Sequence, residues 1–439
     1  MNATLQCFNH IEKFVNFFKY SPHALEKYNS DDSSLSYSFK LLIDKLWPNN
    51  FNPNNKPYTY YAPNDFKTKI SKMNSLFEGI AANDAKDLVN FIIMTLHEEL
   101  NNPDKNNNNA NDYTIDQSDK QKVFQNFMEI FIKNNKSIIS DIFYSSNCSI
   151  TECSNCHIKL YNYQVYFFIV FPLEEVRKFK LERSNQNMNN NMNIMNMNMN
   201  MNMNNNMNIN NNMNMNMSNN MINNMNNNMN MNFINFMGNN NLMLMNNNFF
   251  MQNAINNINN LNNMNNINIM NNMNSMNNMN SMNNMNNSQQ NNEVDILDCF
   301  DYDAKQNVMS GQNAMYCNNC KVTCDSYMST RLITGPEIFI LLLNRGKGKQ
   351  FDVKINFTEF LDLTNYIEYN QTGAKYKLIG VISHIGGSGM DGHFIAYCRD
   401  PLTEKWHKYN DAIVSDVENF EKEVINSYMP YLLFYQKIQ

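Results

Sequence analysis

Apolar residues recur at steps of three and four through the first twenty positions, with Leu5, Phe8, Ile11, Val15 and Phe18 on one face. That spacing predicts an amphipathic helix. A second helical pattern, NDAKDLVNFIIMTLHEEL at 83–100, lies between polar stretches, and the Asn-rich run at 101–112 reads as a surface loop. After Cys156 the run YNYQVYFFIVF has the aromatic and β-branched content of a strand. Alternating apolar runs at 332–343, 376–384, 393–398 and 406–414 predict strands of an antiparallel sheet. Helical patterns early and strand patterns late make an α+β chain.

Between the two halves periodicity disappears. From Asn185 to Asn292, 108 residues carry no Asp, Glu, Lys or Arg and are nearly pure Asn and Met. Asn is a poor helix former because its side chain competes for backbone hydrogen bonds, so residues 185–292 are expected to be a long disordered insertion. Its functional reading is a self-associating segment able to form β-zippers; its plain reading is a tolerated expansion of a repetitive loop. The flanking segments, 1–184 and 293–439, hold every charge and are rich in Phe, Tyr, Ile and Leu, a composition that can bury an enzyme-sized core.

A formal charge of −6 gives no electrostatic ground for a nucleic acid or an anionic membrane as the main partner. His, Glu and Lys interrupt any signal peptide at the N-terminus, and the apolar stretch 165–173 is far short of the roughly 20 residues that cross a bilayer as a helix. The expected setting is the cytoplasm or nucleus. There the nine cysteines should be thiols or metal ligands rather than disulfides.

Four of them fall in two pairs, Cys153-Ser-Asn-Cys156 and Cys317-Asn-Asn-Cys320. Each tight turn can present two thiolates, and four thiolates close a tetrahedral zinc site with no open position, which makes the ion structural. The pairs are 160 residues apart, but 108 of these are the uncharged tract, leaving 52, a spacing that suits one zinc module. A long loop is tolerable: closure entropy rises by about 0.6 kcal/mol per doubling, whereas structural zinc contributes on the order of 10 kcal/mol. Four free thiols are the plain alternative, and Cys148, Cys299 and Cys324, outside the spacing, read as ordinary thiols.

Near the C-terminus, strand-like pieces His393–Arg399 and Glu404–Asn410 flank Asp400-Pro-Leu-Thr403. A four-residue hairpin would set Arg399 opposite Glu404 and His393 opposite Asn410. An imidazole beside a carboxamide is the base-and-orienter half of a cysteine protease triad, the amide oxygen fixing the tautomer. Asp411 is the substitute orienter if the register slips. Gly386, Gly387 and Gly392 would let an extended substrate backbone approach. For a lone His a structural role is the plain reading.

These pieces, in this order, resemble the ubiquitin-specific proteases. The resemblance runs through MNATLQCFNH at 1–10, FEGIAANDAKDLVNFIIMTLHEEL at 77–100, SIISDIFYSS with the first CxxC at 137–156, DCFDYDAKQNVMSGQNAMYCNNC at 298–320, GPEIFILLLNR at 335–345 and the His393 and Asn410 boxes. It implies a papain-like hand: a helical thumb within 1–184 together with the first part of zinc-binding fingers, and the rest of the fingers and an antiparallel β palm in 293–439. It also implies a cysteine-type deubiquitinase that cleaves after the C-terminal glycine of ubiquitin. Ubiquitin and ubiquitinated proteins would be the partners, zinc the structural metal, and no catalytic cofactor is expected.

The main departure is at the start. The family's opening box reads Asn-x-Cys-Tyr-Met-Asn, so Met1 corresponds to the Met two places after the nucleophile, and the chain is expected to begin just past its catalytic Cys and to be inert as written. Cys7, well into the first helix, is expected to be packing, because a reactive thiol wants the helix N-terminus. Asn83, Lys86, Asp87 and Leu88 replace the usual residues of the second box, and Gly346 stands where an aromatic is usual. A ubiquitin-binding pseudoprotease is the alternative function. A zinc-ribbon nucleic-acid binder would leave the His/Asn hairpin unexplained.

Overall fold

The computed structural model describes residues 1–22, 33–48, 61–79, 83–103, 116, 118–186, 292–346, 352–369, 373–386, 392–426 and 429–438. Nearly all of the uncharged tract and most of 101–112 lie outside these residues, as do the expectations of a disordered insertion and of a surface loop.

The first predicted helix is two helices, α1 (Asn2–Asn9) and α2 (Glu12–Tyr20). Side chains end α1. His10 donates from Nδ1 to the Gln6 carbonyl at 2.7 Å, and Asn9 Nδ2 donates to the Leu5 carbonyl at 2.8 Å. With those acceptors engaged, the His10 and Ile11 N–H groups turn to Cys7 and Phe8, three residues back, and Ile11 becomes extended. Then follow α3 (Leu35–Leu46), α4 (Asn64–Met73), α5 (Ala85–Leu100), α6 (Lys120–Asn134) and α7 (Ile138–Phe143). Ser34, Asp84, Asp119 and Ser137 cap α3, α5, α6 and α7 by accepting first-turn N–H groups.

The strand expected after Cys156 is also two. β1 (Ser145–Cys153) and β2 (Lys159–Tyr166) form a hairpin, whereas β3 (Ile169–Pro172) enters another sheet. The break falls at Phe167 and Phe168, whose rings leave the pleat to pack on the helical core, Phe167 stacking on Tyr144 at 5.8 Å. Residues 173–186 are helical (α8). After the tract come β4 (Glu293–Asp295), α9 (Ile296–Asp303), β5 (Asn307–Met309), β6 (Met315–Cys317), β7 (Val322–Cys324), β8 (Ser326–Leu332) and β9 (Ile338–Asn344). The chain ends with β10 (Lys354–Asn356), β11 (Phe360–Asp362), β12 (Lys375–Ile385), β13 (His393–Arg399), β14 (Trp406–Asn410), β15 (Ile413–Asp416) and β16 (Pro430–Lys437).

The palm is an eight-stranded sheet ordered β15-β14-β13-β12-β16-β9-β3 with β11 on β12, antiparallel except where β3 joins β9. Both faces of the sheet are covered at β9, which is why that strand reads as the unbroken run IFILLLN rather than an alternation. Ile338, Ile340 and Leu342 face the helices, and Phe339, Leu341 and Leu343 face a second core built with Phe300 and Tyr376. The helical side is dominated by fully buried Phe8, Phe14, Phe39 and Phe143, packed edge to face at 5.3 Å (Phe14–Phe39) and 5.6 Å (Phe8–Phe143). The fingers are a separate sheet, β2-β1-β8-β5, with the β6–β7 hairpin.

Where the uncharged tract departs and returns, the flanking elements are fastened together. Lys180 Nζ on α8 lies 2.8 Å from carboxylate oxygens of both Asp295 and Asp298, Arg183 pairs with Asp301 at 2.5 Å, and Leu173 and Val176 share the second core with Ile296 and Phe300. No helix among the described residues is long and apolar enough to cross a membrane.

Candidate active site

The hairpin that carries His393 and Asn410 is longer than its sequence suggests. Arg399 pairs with Trp406 and Ala396 with Tyr409, so the connection has six residues rather than four and the register is two residues from the expected one. Asp400 builds the wider turn: its Oδ1 accepts from the N–H groups of Leu402 and Thr403, both at 2.9 Å, and Glu404 takes a positive φ of 60°. Arg399 and Glu404 still meet, as a side-chain ion pair.

An even slip keeps every side chain on its face. His393 therefore reaches Asn410 as a diagonal neighbour rather than a directly opposed one. Its Nε2 donates to Asn410 Oδ1 at 2.7 Å. Because a carboxamide oxygen only accepts, this bond fixes the proton on Nε2 and leaves Nδ1 as the basic nitrogen. Asp411, at φ 51°, places Oδ2 3.6 Å from the same Nε2, beyond hydrogen-bond range, and its Oδ1 accepts from Asn2 Nδ2 at 3.1 Å. The start of α1 is thus tied to the residue beside Asn410, a link nothing in the spacing announced. A second tie runs from Tyr409, whose hydroxyl donates to His10 Nε2 at 2.9 Å.

Cys7 is buried in the main core, its Sγ 3.8 Å from Cys398 Sγ and close against Gly380. Among the described residues, which include all nine cysteines, no thiol bonds to His393. Gly392 precedes His393 for a steric reason: a Cβ there would lie 2.4 Å from the His384 ring and 2.7 Å from the Ile385 carbonyl. Gly386 closes β12, and Gly387 lies outside the described residues.

In the fingers, the sulfurs of Cys153, Cys156, Cys317 and Cys320 lie within 4.8 Å of one another. Cys153–Cys320 is 3.9 Å and Cys156–Cys317 is 3.6 Å. A zinc tetrahedron with Zn–S bonds of about 2.3 Å has edges of about 3.8 Å, so this cluster could hold zinc. The reading of Cys324 as an ordinary thiol misses its location: its Sγ is 3.2 Å from that of Cys153. The β6–β7 hairpin brings it there, four residues past the second pair.

The chain is similar to proteins already known. The chain is 18% identical over 443 residues to ubiquitin carboxyl-terminal hydrolase Usp2 of Drosophila melanogaster, covering 100% of this chain and 34% of that protein. It is 32% identical over 133 residues to ubiquitin carboxyl-terminal hydrolase 48 of Rattus norvegicus, covering 29% of this chain and 12% of that one. It therefore spans about a third or less of these relatives. Among solved structures, the SAGA DUB module of Ubp8, Sgf11, Sus1 and Sgf73 bound to monoubiquitin shares the fold with TM-score 0.55 at 15% identity, covering 100% of this chain and 66% of that chain. The same module bound to ubiquitin aldehyde gives 0.53 at 16%, covering 100% and 67%. The profile of the ubiquitin carboxyl-terminal hydrolase family matches residues 1–435, and the chain, with its papain-like thumb, palm and fingers, belongs to that family.

Proposed function

We propose that the protein is a cysteine-type deubiquitinase that hydrolyses the bond after the C-terminal glycine of ubiquitin in ubiquitinated proteins, in the cytoplasm or nucleus. The observation that carries this reading is the 2.7 Å bond from His393 Nε2 to Asn410 Oδ1, which sets the tautomer a general base needs. His393 Nδ1 takes the thiol proton as the thiolate attacks the carbonyl carbon, then returns a proton to the leaving amine. Asn410 keeps the ring oriented throughout. Gly386 and Gly392 flank the β12–β13 end that carries His393, where the narrow tail of ubiquitin would pass. Zinc, held by Cys153, Cys156, Cys317 and Cys320, would act only by stiffening the fingers.

This reading needs a thiol facing His393 Nδ1, and among the described residues none of the nine thiols bonds to His393. The same observation favours the second reading, a protein that binds ubiquitin without cleaving it. Two measurements separate them. The 439-residue chain should bind ubiquitin in calorimetry yet release nothing from a fluorogenic ubiquitin conjugate. The natural protein isolated from its cells should be labelled by a ubiquitin probe with a thiol-reactive end; ubiquitin binding without labelling leaves the binder, and no binding by either ends both readings.

A further inference from the structure

We propose that Cys324 and Cys153 form a peroxide-responsive pair in the fingers, closing to a disulfide that takes one ligand from zinc; this rests on the zinc reading of the four-cysteine cluster.

The Cys153–Cys324 separation of 3.2 Å is shorter than the 3.6 and 3.9 Å contacts within the cluster and than the roughly 3.8 Å edge of a zinc–thiolate tetrahedron. Cys324 is thus not a further corner of the polyhedron but a thiol in contact with one corner. Both residues are buried. The backbone holds them in register: Cys153 pairs with Ser326 across β1 and β8, the Ser154 N–H donates to the Asp325 carbonyl at 3.0 Å, and Cys324 pairs with Met315 at the end of β7. From 3.2 Å the two sulfurs would have to close by a little over 1 Å to reach a disulfide of about 2.05 Å. Cys148 and Cys299, the other thiols near the pairs in sequence, make no contact with another sulfur among the described residues, and the Cys148 thiol faces the Ser149 carbonyl at 3.8 Å.

The chemistry balances with hydrogen peroxide as oxidant. The Cys153 thiolate attacks one peroxide oxygen, the O–O bond breaks, and hydroxide departs and takes a proton from solvent, leaving a sulfenic acid on Cys153. The Cys324 sulfur then attacks the sulfenic sulfur; the S–S bond forms, the S–O bond breaks, and the departing hydroxide leaves as water with the Cys324 thiol proton. Two thiols lose two electrons and peroxide becomes two waters. Three zinc ligands remain, so metal affinity falls, and a reducing thiol reverses the step. Disulfides that form in reducing compartments are mostly transient devices of this kind.

The test uses the purified 439-residue chain, with zinc content measured by atomic emission. Hydrogen peroxide is added while a chromogenic chelator reads free zinc and non-reducing peptide mapping reads the cross-links. The expected result is zinc release together with a Cys153–Cys324 cross-link, both reversed by dithiothreitol and added zinc. Cys324→Ser should release zinc at least about tenfold more slowly, while Cys148→Ala behaves as the unaltered chain. Release from Cys324→Ser at the unaltered rate overturns the proposal, as does a Cys324→Ser chain that cannot hold zinc before oxidation, because Cys324 is then a ligand. Mapping on the unaltered chain decides the matter even if the variants misfold: peroxide treatment that yields no Cys153–Cys324 bond refutes the pair. A chain that carries no zinc refutes the metal reading instead, and the cross-link is still read separately.

Discussion

Tyr409 and His10 join the C-terminal hairpin to the N-terminal helix through one hydrogen bond, 2.9 Å from the phenol oxygen to Nε2. The imidazole is committed on its other side, where Nδ1 donates to the Gln6 carbonyl, so Nε2 has a lone pair to offer and the phenol must donate. The next residue after Tyr409 is Asn410, so this bond anchors the strand end that presents the Asn410 carboxamide to His393. Tyr409→Phe leaves a buried nitrogen without that donor and should destabilise the fold by about 1–3 kcal/mol, read as a lower urea midpoint with unchanged slope. An unchanged midpoint would show that the anchor contributes nothing.

The two orienter candidates differ by distance, 2.7 Å for Asn410 and 3.6 Å for Asp411. In the active natural protein, His393→Ala should lower turnover of a ubiquitin conjugate by about 10²–10⁴-fold, Asn410→Ala by less, and Asp411→Ala least of the three. If Asp411→Ala is the more damaging of the two orienter changes, the carboxylate and not the carboxamide positions the imidazole.

The four sulfurs that could hold zinc come from both sides of the tract. Cys156→Ser should reduce bound zinc from one equivalent to a small fraction, and a strong chelator should unfold the fingers of the unaltered chain, visible as lost amide-exchange protection in β1 and β8. Protection that survives complete zinc removal would show that the sheet stands without metal.

What the sequence made legible was periodic or paired. Removing the uncharged tract from the count brought the two CxxC pairs to a workable spacing, and face parity along β13 and β14 was right because the register error was an even number. The error came from Asp400 and Glu404, whose turn geometry depends on two side-chain hydrogen bonds and a positive φ at a non-glycine residue. Asn2, His10 and Cys324 act across 409, 399 and 171 positions, and no local pattern reports such contacts. Helix α1 ended early because His10 and Asn9 spend their side chains on carbonyls that the periodicity assigned to a continuing helix.

His97 is buried between α5 and the cap of α7, donating from Nε2 to Asn135 Oδ1 at 3.1 Å and accepting at Nδ1 from the Ser137 hydroxyl at 2.8 Å. Burial pushes its pKa down to about 4, against a smaller opposing effect of the Asn135 bond. The folded state therefore holds the neutral ring while the unfolded chain protonates near 6.5. Its contribution is complete above pH 6.5 and is lost as pH falls toward 4, by up to about 3 kcal/mol. Urea midpoints should drop across that window and drop less in His97→Gln; equal slopes would place the acid sensitivity elsewhere.

Lys180, Arg183 and their aspartates fasten the two ends of the tract to one another. Replacing 187–291 with about ten Gly and Ser residues shortens the loop by between three and four doublings, so stability should rise by about 2 kcal/mol. A thermal midpoint that falls instead would mean that the tract makes stabilising contacts.

The four sulfurs of the fingers also set a timetable for synthesis. A ribosome that has just added Cys156 must add 160 more residues before it reaches Cys317, which at about 5–20 residues per second is a wait of roughly 10–30 s. During that interval β1 lacks its β8 neighbour and the first pair of thiolates has only half a binding site. The fingers are therefore completed late, and an organism that makes this chain must keep the open edge of the β1–β2 hairpin from sticking to others until the second half arrives.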